Sequence, residues 1–64
     1  MNFKEIRLSK GLMKSYVQEK LLEEGVELSD WQFNDRENHP KKYLPYEIKA
    51  LCKIYGVDID DVEF

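Results

Sequence analysis

Apolar side chains recur along the chain at intervals of three and four, with polar residues filling the positions between them. That period belongs to helices that bury one face. Asn2 with Glu5 three residues later forms a capping-box pattern. Phe3 and Ile6, with Leu8 beside them, make an apolar stripe that leaves Lys4, Arg7 and Lys10 outside. Gly11 follows as a stop signal, so a first helix is expected over residues 2–10. Val17 and Leu21, with Tyr16 and Leu22 beside them, predict a second helix over 14–24. Glu19, Lys20, Glu23 and Glu24 form its solvent face, and Gly25 ends it.

Val26-Glu27-Leu28 reads as a linker. Ser29 is a good N-cap, and Asp30 in the following turn suits the helix dipole. The third helix is expected over 30–37, with Phe33 inward and Gln32, Asn34 and Asp35 exposed, until Asn38, His39 and Pro40 break it. Lys41 to Leu44 reads as a loop. Pro45 fits the first turn of a fourth helix, which carries Ile48, Leu51, Ile54 and Tyr55 on one face and stops at Gly56. Asp58 caps a short fifth helix over Ile59 to Val62. Sustained strand alternation is absent, so the expected fold is all-α: five short helices in a single domain of 64 residues.

Cys52 is the single cysteine, so no intrachain disulfide can form. Its place on the fourth helix predicts a buried, reduced thiol that packs as a small hydrophobe. Apolar runs are only two or three residues long, too short for a membrane span or signal peptide. A cytoplasmic location is the resulting expectation. His39 and Cys52 sit on different elements, and two ligands do not make a zinc site, so neither metal nor cofactor is expected. Ser/His/Asp spacing and a glycine-rich phosphate loop are both missing, and Asp60-Asp61 reads as a helix N-terminus, which argues against an enzyme.

The net charge of −3 argues mildly against a nucleic-acid partner, but its distribution is uneven. Residues 1–20 carry +3, residues 21–38 carry −5, residues 39–49 carry +2 and residues 50–64 carry −3. A folded chain could bring the two basic blocks to one face.

Three segments then align in order with one family. Met1-Asn2-Phe3-Lys4-Glu5-Ile6-Arg7, closed by Lys10-Gly11-Leu12, resembles its first helix and glycine stop. Ser29-x-x-Gln32-Phe33-Asn34-x-x-Glu37-Asn38 resembles its recognition helix. Tyr43-Leu44-Pro45 with Ile48 and Leu51, then Gly56-Val57-Asp58-Ile59-Asp60-Asp61-Val62, resembles its last two helices. Over nearly its whole length the chain resembles the phage-repressor-like helix-turn-helix family of the Cro/CI, or XRE, type.

The resemblance implies a compact five-helix, lambda-repressor-like domain. It also implies a sequence-specific transcriptional regulator of phage or prophage type that binds double-stranded operator DNA as a homodimer. Lys14, Lys41 and Lys42 become expected phosphate contacts. Ser29, Trp31, Gln32, Asn34, Asp35, Arg36 and Asn38 become the expected reading helix, whose amides could meet adenine edges. Trp31 could stack on a base step, but is expected instead to pack on Val26 or Leu28. Val62 is expected in the core, and Phe64 at the dimer seam.

Departures from the family pattern are local. Several extra residues lie between Leu21 and Leu28, Lys14 stands where the family carries Gln, Arg36 where it carries a small apolar residue, and His39 where it carries Gly. Carboxylates at Asp30 and Asp35 open an alternative: a protein-interaction module of the same fold, binding a partner repressor, a polymerase subunit or a toxin.

Overall fold

A computed structural model describes the whole chain, residues 1–64. Four α-helices follow one another without a strand: α1 (Phe3–Ser9), α2 (Lys14–Glu23), α3 (Asp30–Asn38) and α4 (Pro45–Tyr55). Single 3₁₀ turns lie at Pro40–Lys42 and Ile59–Asp61. The protein is therefore all-α, as its periodicity predicts, but the expected fifth helix is only one turn. Val62 leaves that turn with extended backbone (φ −105°, ψ 132°) and buries its side chain. The Glu63 N–H then donates to the Met1 carbonyl at 3.0 Å. A helix continuing past Asp61 would forfeit both contacts. Lys41 and Lys42, expected in an open loop, are wound into the other 3₁₀ turn.

Local signals set the helix ends. The Asn2 side chain accepts from the Glu5 N–H, and the Glu5 carboxylate accepts from the Asn2 N–H, both at 2.9 Å. Helix α2 closes at Gly25, whose φ of +80° is left-handed and suits a residue without Cβ. There the Val26 N–H reaches back to the Leu21 carbonyl at 2.8 Å and the Gly25 N–H to Leu22 at 3.0 Å. These are the two bonds of a Schellman ending, which satisfies carbonyls the helix leaves open. The extra residues between the second and third helices are thus a true linker, 24–29, pinned by buried Val26.

Helix α4 packs against α2 and α1, and α1 against α3. Between them Phe3, Ile6, Val17, Leu21, Val26, Phe33, Tyr43, Ala50, Leu51, Tyr55 and Val62 form one buried cluster. Phe3 is its centre, with the rings of Tyr43, Tyr55 and Phe64 at 5.3, 5.9 and 5.8 Å. Phe64 lies edge-on against Phe3 and remains exposed over 43% of its surface. Cys52 is a half-buried free thiol packed on this cluster, and burial pushes its pKa up. Leu8, Tyr16 and Leu22, expected beside the apolar stripes, face solvent.

Arg7, expected outside the first stripe, is buried instead. Its Nε donates to Glu37 Oε2 at 2.7 Å and its Nη2 to Glu37 Oε1 at 3.0 Å. The remaining Nη1 donates to the Leu12 carbonyl at 3.0 Å. A bidentate guanidinium–carboxylate pair satisfies both charges in a place where either alone would be costly. The Glu37 hydrogen bond holds the Arg7 pKa above its ordinary value.

Candidate nucleic-acid interface

Helix α3 has an inner and an outer side. Ser29 accepts from the Gln32 N–H at 3.2 Å, and Gln32 Oε1 accepts from the Ser29 N–H at 2.9 Å. This reciprocal box fixes the first turn. Phe33 and Glu37, four residues apart, face the core. Arg36 is drawn inward too: its Nε donates to Glu47 Oε1 at 3.2 Å, and its Nη1 lies 3.5 Å from Asp35. Glu47 is almost fully buried and also accepts from the Leu44 N–H at 2.9 Å, closing the start of α4. Ion pairs to α1 and α4 thus anchor α3 from behind.

Residues 31, 35 and 38 line the outer ridge of the helix, with 34 on its flank. Trp31 stands on that ridge with 72% of its surface exposed. It does not cover the linker, because Val26 and Leu28 tuck into or against the core. Asn34 accepts from the Lys14 ammonium of α2. Asp35 pairs with Lys42 at 3.3 Å from the following 3₁₀ turn. Asn38 accepts from Lys4 of α1 at 3.5 Å. Lysines from three separate elements therefore border the ridge. Lys41, exposed and next to Lys42 in the chain, adds a fourth ammonium without an ion pair of its own.

Comparison with protein families, curated proteins and solved structures finds no match to this chain.

The structure thus brings Lys14, Ser29, Trp31, Gln32, Asn34, Asp35, Asn38, Lys41 and Lys42 to one side of α3 or its margin. Several are less available than expected. Asp35, predicted exposed, is mostly covered and lies between two cations. Arg36 is half-buried and turned inward, paired with the buried Glu47 rather than presented on the outer surface. Ser29 and Gln32 are committed to each other.

Two neighbours of the ridge escaped the sequence reading. Lys4 lies 34 positions from Asn38 in the chain, a separation at which no periodicity signals a contact. Gln18 donates to Asp30 Oδ1 at 2.9 Å and to the Leu28 carbonyl at 3.3 Å, tying α2 to the start of α3. The α2 pattern shows only that Gln18 lies next to the apolar Val17.

No three His, Cys, Asp or Glu side chains converge into a metal-binding group. A groove beside α4 is lined by Ile48, Cys52 and Val57 together with Lys49, Lys53 and Asp58. No helix is long and apolar enough to cross a membrane.

Proposed function

We propose that the protein is a sequence-specific DNA-binding regulator of the helix-turn-helix type, a small repressor that acts by occupying an operator. The observation that carries this reading is the lysine border around α3: Lys14 on one flank, Lys41 and Lys42 on the other, and Lys4 at the C-terminal end. A helix held proud by anchors on its inner face, with ammonium groups at its margins, suits the major groove with a phosphate strand on each side. The net charge of −3 is less of an obstacle than it looks. Of the three carboxylates on α3, Glu37 is sealed behind Arg7 and Asp35 is paired with Lys42 and Arg36, so that only Asp30, hydrogen-bonded to the neutral Gln18 amide, keeps an unpaired charge.

The resemblance to phage-type repressors extends the reading to a dimer on a near-palindromic site, with half-sites about 34 Å apart. Selection from a random duplex pool at low salt should enrich one preferred site. Its affinity should fall with salt as phosphate neutralisation releases counterions. Lys14→Ala and Lys41→Ala should each lower the salt slope by about one, at unchanged sequence preference. Failure to enrich any duplex overturns the proposal.

One observation favours the protein-interaction alternative: a tryptophan this exposed is the side chain that protein interfaces most often use as an anchor. The readings separate on Lys14→Glu combined with Lys41→Glu, which abolishes operator binding but spares a protein complex formed through Trp31.

A further inference from the structure

The outward polar side chains of α3 are already engaged within the protein. Asp30 is held by Gln18, Gln32 by Ser29, Asn34 by Lys14, Asp35 by Lys42 and Asn38 by Lys4. On the inner side, Arg36 and Glu37 are locked to Glu47 and Arg7. The oxygens that these side chains would turn to a base amine thus already accept internal hydrogen bonds. Trp31 is the exception. Its indole projects from the second residue of α3, exposed and unpaired, on a turn made rigid by the Ser29–Gln32 box.

The indole is a donor only, through Nε1–H, on a large apolar ring. It therefore has nothing to offer the exocyclic amines of adenine or cytosine. In the major groove, thymine alone presents a methyl group beside an acceptor oxygen, and apolar side chains meet that methyl. We propose that Trp31 reads a thymine through its C5-methyl, so that each half-site carries a T·A pair opposite the first turn of α3. This rests on the DNA-binding reading above and adds to it the mode of recognition: an apolar contact in place of the hydrogen-bonded amide.

The test uses the intact chain and the duplex it selects from a random pool. Deoxyuridine replaces thymidine one position at a time, removing only the methyl group. One position should cost the wild-type protein about tenfold in affinity, the size of a typical single-pair mismatch. Trp31→Ala should weaken binding to the parent duplex by a similar factor and bind thymine and uracil duplexes alike, with an unchanged melting temperature. Trp31 is the only tryptophan, so its emission should also shift when the duplex binds.

If a duplex is selected but every uracil substitution is silent and Trp31→Ala binds as tightly as wild type, thymine reading is wrong while DNA binding stands. If the two losses add independently in the double combination, Trp31 contacts something other than the methyl and the inference fails. If no duplex is selected, both proposals fall, and α3 becomes a candidate surface for a protein.

Discussion

Tyr55 buries its hydroxyl with no hydrogen-bond partner. An unpaired polar atom in an apolar site is destabilising, so Tyr55→Phe should raise the unfolding free energy by about 1 kcal/mol. The same residue gives the fold a sensitivity to base. Burial, reinforced by the Glu37 charge, holds the Tyr43 and Tyr55 phenols well above their ordinary pKa. The unfolded chain therefore loses these protons first, near the ordinary value of about 10. The contribution is complete below that pH and is lost as the pH rises toward the folded-state values. Urea unfolding at neutral pH and at about pH 11 should show this loss, and Tyr55→Phe should reduce it, with Tyr43 and the Cys52 thiol contributing to the remainder. Equal alkaline loss in the variant would mean that other groups set the behaviour.

At the scale of elements, the cap of α3 positions everything on its outer ridge. Ser29→Ala removes the acceptor for the Gln32 N–H and should cost about 1 kcal/mol. Circular-dichroism melting measures that loss, and a fraying first turn should also weaken any contact made through Trp31. These elements were the legible part of the chain. Asn2, Ser29 and Pro45 open helices where their chemistry predicts, and Gly11, Gly25 and Gly56 close them with positive φ.

What could not be read was long-range pairing. Arg7 and Glu37 look like surface charges because each is buried only through the other, 30 positions away. Arg36 looked available for DNA because its partner Glu47 lies on another helix. Trp31 looked like a cover for the linker because the linker's own burial, through Val26, is invisible in a local pattern. The last turn failed as a helix for a similar reason: its continuation is decided by the core position of Val62 and the backbone of Met1.

For the whole molecule, the Arg7–Glu37 pair joins the first helix to the third through two buried charges. Arg7→Met or Glu37→Leu alone strands a buried charge and should cost about 3–5 kcal/mol. A domain this small has little stability to lose, so either single variant should be largely unfolded near room temperature. The double variant removes both charges and should recover much of the loss, which thermal melting of the three proteins would show. A double variant no better than the worse single would mean that the pair contributes through its geometry and not only by mutual neutralisation.

The joint between α2 and α3 has a consequence for how such a protein can change over time. Val26 and the Gln18 side chain fix the aim of α3, while Gly25 and Glu27 on the intervening stretch face open water. Insertions or deletions beside that pin would alter the loop's outline and leave the helix pointing the same way. A lineage could therefore drift freely in loop length, becoming hard to align with its relatives, while the surface offered by α3 stayed in place.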